Sequence, residues 1–430
     1  MKIAGVPERA AQRITDLRLG PGELSFEAHL AEAEPQRIWF RSETEVTPSA
    51  DAALAACLMP AMRSGGRLEI DEPISPQLLR NQREYQAIQR VWSFDWTYGE
   101  RPLEEVEVVA PLRPPEPSSP SGRVAAFFSG GVDSFATILC NPDVTDLIFI
   151  RGMDILPRLP HQEGLADRVE ARLRQAAEEL NKPLHVVETN IRDLSDPLIR
   201  WECYFSSPLL AVSHFFASLF DRVLITGDAD HETQPLIGTA LLIDHLWSSE
   251  TLELEDFGGR LSRHQRVGLI ADHPVVSRTL RTCWENPDGA YNCGRCRKCT
   301  QTMLSLELYG ARREVETFPP ELDLDLLAGF ELDQSITLAI WEDLLAEIRK
   351  GGRTDIEPAI EAFVEKGRRT LGLAKTYRSR PSRDGVPATM SGAEQEALEA
   401  DLKTVLESRS WRLTEPLRRL GSKLRARRSR

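Results

Sequence analysis

Two stretches of this chain carry residue types at spacings that could do chemistry. The first is Ser129-Gly130-Gly131-Val132-Asp133-Ser134, which follows the apolar run Val124–Phe128 and leads into Val132–Cys140. The apolar run reads as a buried strand, and Val132–Cys140 has helical apolar spacing. A glycine pair at a strand-to-helix turn lets backbone amides come close to an anion. The new helix adds free N–H groups and the positive end of its dipole. Such a turn is expected to hold phosphate. It is not a Walker loop, which needs G-x-x-x-x-G-K-[ST], because no Lys follows Gly131. The plainer reading is an ordinary turn with Ser and Asp as helix caps. Ser129, Gly130, Gly131, Asp133 and Ser134 together in a strand, loop and helix setting speak against it.

The second stretch holds Cys283, Cys293, Cys296 and Cys299, the last three at C-x-x-C-x-x-C spacing. Four soft ligands in one short loop suit a closed tetrahedral zinc site, structural in kind. Arg295, Arg297 and Lys298 favour the thiolate form. An iron–sulfur cluster uses the same spacing and stays open as a reading. Disulfides are the third reading. The opening MKIAGVPERAAQ has no apolar signal region, so a reducing, cytoplasmic location is expected. Cys57, Cys140 and Cys203 are isolated, and Cys140 is expected in the core.

Ser129–Ser134 resembles the S-G-G-x-D-S loop of the ATP pyrophosphatases, the PP-loop family. The resemblance implies that the loop grips the pyrophosphate end of ATP. A substrate oxygen then attacks the α-phosphate, and pyrophosphate and an adenylated substrate result. With the cysteine loop, the chain is similar to the 7-cyano-7-deazaguanine synthase branch over roughly residues 121–310. There ATP activates a carboxylate, ammonia makes the amide, and a second activation gives the nitrile. Where that branch carries Asp-x-x-x-Tyr-Pro-Asp-Cys-Arg, this chain reads Gly227-Asp-Ala-Asp-His-Glu-Thr-Gln-Pro235. Other readings are an amide ligase or thiolation enzyme on a surface polysaccharide, protein or small acid, and a PP-loop protein that binds nucleotide without turnover.

The elements that must position these residues alternate strand and helix over residues 122–312. Thr145–Ile150, Leu184–Glu188 and Val223–Thr226 read as further strands. Glu163–Leu180 and Pro208–Phe220 read as helices. This implies an α/β fold with a doubly wound parallel sheet, of the PP-loop or HUP-like kind by resemblance. Ligands in such sheets sit beyond the carboxyl ends of the strands. The expected nucleotide site is therefore Ser129, Gly130, Gly131, Val132, Asp133 and Ser134, with Arg151, Gly152, Gly227 and Asp228. Expected catalytic groups are Asp133, Arg192, His231 as general base, and Arg263. Arg263 or Arg266 stands where relatives often place a Lys that reaches the phosphates. Asp228, Asp230, His231 and Glu232 are candidates for magnesium or acid/base work. Asp244–Ser248 could form a substrate lid. ATP, Mg and Zn are the expected cofactors.

Residues 1–112 read as an N-terminal α+β accessory domain with no catalytic constellation. Strands are expected at Ile38–Phe40, Arg67–Ile70 and Val106–Val109, and helices at Asp51–Met62 and Ser75–Val91. Residues 113–121 form a Pro/Ser linker. Residues 313–375 read as mainly helical, through Asp333–Lys350 and Asp355–Thr370. Residues 376–430 read as a flexible linker and basic tail. The chain's net charge of −13 argues against general nucleic-acid binding. Residues 411–430 hold eight Lys/Arg and one acid, a net +7, which leaves −20 on the other 410 residues. An anionic membrane surface or an acidic partner is the expected contact of that tail, peripheral in character. The other partners are ATP and a small-molecule or protein acceptor, and an oligomer is compatible with the sequence. No apolar run approaches the ~20 residues of a membrane span.

Overall fold

Side chains that alternate along a strand go to opposite faces of a sheet. In the computed structural model this alternation divides the molecule into two cores on either side of one ten-stranded sheet. The structure describes residues 11–94, 101–114, 120–156, 158–227, 238–332 and 335–371. All of them lie within one compact unit, residues 1–374. The strands are β1 (Gln12–Gly20), β2 (Glu23–His29), β3 (Gln36–Ser42), β4 (Gly66–Ile70), β5 (Val106–Val109), β6 (Val124–Phe127), β7 (Asp146–Arg151), β8 (Leu184–Thr189), β9 (Arg222–Thr226) and β10 (Glu253–Phe257). Their order is β10-β9-β6-β7-β8-β3-β2-β1-β4-β5.

The half from β10 to β8 is all parallel. In chain order its first strand, β6, is central, with the second and third on one side and the fourth and fifth on the other. That order reverses direction at β6, which puts the topological switch point, and hence the crevice for ligands, at the end of this strand. Helices α1 (Asp51–Ala61), α2 (Pro76–Trp92), α3 (Val132–Cys140), α4 (Leu165–Glu179), α5 (Ile191–Ser195), α6 (Trp201–Tyr204), α7 (Ser206–Phe215), α8 (Arg263–Ile270), α9 (Pro274–Thr279), α10 (Arg297–Leu308), α11 (Ser335–Lys350) and α12 (Glu357–Thr370) complete the chain. Ala126, Phe128, Leu147 and Phe149 pack with α3, α4, α8, α9 and α10. Their neighbours Ala125, Ile148 and Ile150 pack into the other core, with α1, α2, α5 and α7. The α/β class with a mostly parallel sheet is thus as the sequence implied.

The expected boundary at residues 113–121 is a connection within this sheet, since β5 and β6 belong to the same ladder system. Residues 11–112 join the parallel half through β3, which runs antiparallel to β8 with Phe40 opposite Thr189. Asn190 continues the contact: it accepts from the Trp39 N–H and donates to the Arg37 carbonyl. Ile14, Leu24, Phe26, Ile38, Phe40 and Leu68 share one core with α7 and Val187. This part is therefore not a free-standing accessory domain but an extension of one sheet. The helical region expected at 313–375 also docks onto the same body. Trp341, Leu344, Ile348, Ile360 and Phe363 close a third core against Leu304 of α10. No helix among the described residues is long and apolar enough to cross a membrane. Residues 376–430, with the basic stretch 411–430, lie outside the described residues.

Candidate functional site

The turn after β6 begins with Phe128, whose N–H donates to the Ile148 carbonyl and fixes the loop's point of departure. Gly130 follows at φ +74°. A Cβ there would lie 3.0 Å from Leu173 and 3.4 Å from the Thr279 carbonyl, so both conformation and space require glycine. α3 starts from Gly131 with no side-chain cap. Ser134 does not cap it; its hydroxyl donates to the Gly131 carbonyl. The first-turn N–H groups thus remain available to an anion. Thr137 ties α3 to β9, its hydroxyl 2.6 Å from that of Thr226.

Asp133 does more than sit at the helix start. Its two oxygens accept from Arg263 at 2.6 Å and from Arg266 at 2.8 Å. Burial alone would raise the Asp133 carboxyl. Arg263 and Arg266, with Lys298 adding to them, overcome burial and hold it well below the ordinary value. α8 carries both arginines. Its start is a capping box in which Ser262 and Gln265 satisfy each other's backbone N–H groups. Arg266 also donates to the carbonyls of Gly227, 2.8 Å, and Gly258, 2.9 Å. Ser129–Ser134, Gly227, Arg263 and Arg266 are therefore one constellation.

Arg151, Gly152 and Arg192 form a second one, at the ends of β7 and β8. Gly152 abuts the Thr189 carbonyl. Arg151 is taken up by Glu170, 2.6 Å, and Asp167, 2.7 Å, both on α4. Arg192 stacks on Trp201 at 4.0 Å and donates to Asp196 and to the Met153 carbonyl. Both guanidinium groups already hold loops together within the protein. Asp228 and His231, with Asp230 and Glu232, lie outside the described residues. The lid expected at Asp244–Ser248 is instead part of the core. Asp244 and Trp247 are fully buried, and the Trp247 ring meets Tyr85 edge-on at 5.1 Å. Cys140, expected in the core, is exposed, while Cys57 and Cys203 are buried.

Asp256, near the end of β10, drew no notice in the sequence because ELEDF offers only an acidic-apolar alternation. Its Oδ2 lies 2.7 Å from where a Cβ on Gly227 would sit, and that oxygen has no partner among the described residues. Burial pushes the carboxyl up to about 6, against the pull of Arg266. The folded chain thus holds this proton to higher pH than the unfolded chain, where the value is near 3.8. Stability should fall as pH rises between those values and stay reduced above them. Asp256→Asn is expected to raise stability at pH 7 by roughly 1–3 kcal/mol and to flatten that fall. Urea midpoints at pH 4 and pH 7 decide it, and an equal gain at both would refute the assignment.

The cysteine loop lies against the Ser129–Ser134 turn. The Arg281 N–H donates to the Gly130 carbonyl at 2.8 Å, two residues before Cys283. Asn292 accepts from the N–H groups of Thr282 and Cys283 and donates to the Leu280 carbonyl, which closes the loop. The four sulfurs of Cys283, Cys293, Cys296 and Cys299 lie within 4.8 Å of one another. The pairs 283–296 and 293–299 are 3.9 and 4.0 Å apart. A tetrahedral ion with bonds of about 2.3 Å needs sulfurs about 3.8 Å apart, whereas a disulfide needs about 2.05 Å. The donor set therefore fits one metal ion such as zinc and not a pair of disulfides. N–H groups of Asn286, Arg295 and Cys296 point at sulfur, the arrangement that favours thiolates. No family model matches the chain, and no curated protein or solved structure matches it.

Proposed function

We propose that the protein is an ATP-dependent, AMP-forming enzyme of the PP-loop type. The observation that carries this reading is the Ser129–Ser134 turn. It stands at the end of the central strand β6, opens an uncapped helix, and has Arg263, Arg266 and Lys298 close enough to govern Asp133. Backbone N–H groups of the turn would bind the β- and γ-phosphates, and Arg263 would add charge. A substrate carboxylate oxygen would attack the α-phosphorus. The bond from that phosphorus to the bridging oxygen breaks, and pyrophosphate leaves with the electron pair. By resemblance, the lead substrate class is a deazaguanine carboxylate, with ammonia then displacing AMP to give the amide and a second activation giving the nitrile. Both Asp133 oxygens are used by arginines, so magnesium is not assigned to Asp133.

Zinc is the metal proposed for the cysteine site. Held by four thiolates, zinc has no open position, and its chemistry is to fold the loop that supports Gly130. Retained thiolates suit a reducing, cytoplasmic setting. The test is product analysis by ion chromatography, with ATP, 7-carboxy-7-deazaguanine and ammonia. AMP and pyrophosphate are expected. ADP and phosphate would overturn the assignment, and tight ATP binding with no product would favour a nucleotide binder without turnover.

A further inference from the structure

We infer that Arg266 is a positioning residue, which registers the phosphate-type turn against the segments that follow β9 and β10; the inference rests on reading that turn as the nucleotide site. Its side chain is 1% exposed. It donates to Asp133 after β6, to the Gly227 carbonyl after β9 and to the Gly258 carbonyl after β10. Gly227 and Gly258 follow the paired ends of β9 and β10, where the Gly227 N–H donates to the Phe257 carbonyl, but Asp133 is far from both in sequence and no strand pairing reaches it. One planar group with fixed N–H directions meets all three acceptors. A lysine ammonium, a point charge on a flexible stem, would not span them.

The two arginines of α8 thereby divide their work. Arg263 makes one bond to Asp133, and its side chain is 13% exposed. It is the group able to meet a ligand. Arg266 is enclosed and engaged on three sides, so it acts on a nucleotide only through the segments it holds. Gly258, at φ +99°, has room for a Cβ only 3.0 Å from the Arg266 guanidinium, which keeps that side closed as well.

The test uses the full-length, metal-loaded protein, with pyrophosphate as probe. Calorimetry should show Arg266→Lys and Arg266→Met losing affinity alike, by roughly ten- to a hundredfold, the size expected for lost hydrogen bonds to a charged group. A direct phosphate ligand would instead be largely rescued by Lys, so R266K within about threefold of wild type overturns the inference. A second readout serves if those variants fold poorly. The amides of Gly227, Leu261 and Arg281 are bonded to the carbonyls of Phe257, Gly258 and Gly130, one in each segment. Asp133→Asn touches only the first segment, yet it should speed hydrogen exchange at all three amides and spare those of β7. Loosening confined to Arg281 would refute a shared registration. If the wild type binds no pyrophosphate, the nucleotide reading fails, and the exchange pattern still decides on Arg266.

Discussion

Asp133→Ala is expected to abolish pyrophosphate formation and also to lower stability at pH 7 by about 3 kcal/mol. Removing one partner of a buried ion pair leaves the other charge uncompensated, which costs roughly 3–5 kcal/mol. Arg266 would be that charge, since it is enclosed and cannot turn to water. The lower end of the range applies because Asp133 itself is partly exposed, at 31% of its side chain. Asp133→Asn should lose less, since the amide oxygen can still accept from one arginine. The carboxyl's value is depressed in the folded state. Its contribution is therefore present above the ordinary 3.8 and lost as pH falls further. Urea midpoints should converge for wild type and variant in acid and separate at neutral pH. An Ala variant as stable as wild type would mean that Arg266 finds another partner.

From sequence alone, Asp133 reads as a group of the nucleotide loop with a catalytic role and no structural one. What the sequence hides is a partner 133 positions away, on a helix whose docking against α3 leaves no local mark. The strand-loop-helix unit at 124–140 was legible because apolar period and glycine placement agree there. The four-cysteine loop was legible because ligand spacing is local. The hairpin β1–β2 was not, because its alternation loses phase: Asp16 stands at φ 46°, and the register shifts between Thr15 and Arg18. Gln12 and Ile14 alternate inward ahead of the bulge, and beyond it the period-two pattern that marks a strand is lost. The joining of residues 11–112 to the same sheet was illegible for another reason. It depends on β3 pairing with β8 across some 150 residues, and edge pairing leaves no local mark.

Cys299→Ser is expected to have the larger effect on folding: loss of stoichiometric metal and roughly 5 kcal/mol or more of stability. The binding free energy of a structural zinc is folding free energy and reaches ~10–16 kcal/mol in small domains. Cys299 is fully buried at the start of α10, beside Thr282 and within the core that Phe128 and Leu147 share with α3 and α4. Serine there would be a poor ligand and a buried hydroxyl. Elemental analysis of the wild type should give one zinc per chain. Stoichiometric iron with visible absorbance would replace zinc by iron, and no metal would end the metal reading. The loss should not stay local. The metal loop supports Gly130 through the Arg281 N–H, and Arg281 in turn donates to Asn286, whose N–H reaches the Cys283 sulfur. Three hydrogen bonds thus link the Cys283 sulfur to the glycine that needs a left-handed backbone. Coupling is reciprocal, so pyrophosphate should slow the release of metal to a chelator from the wild type. A release rate indifferent to pyrophosphate would show that the two loops, though in contact, are energetically independent.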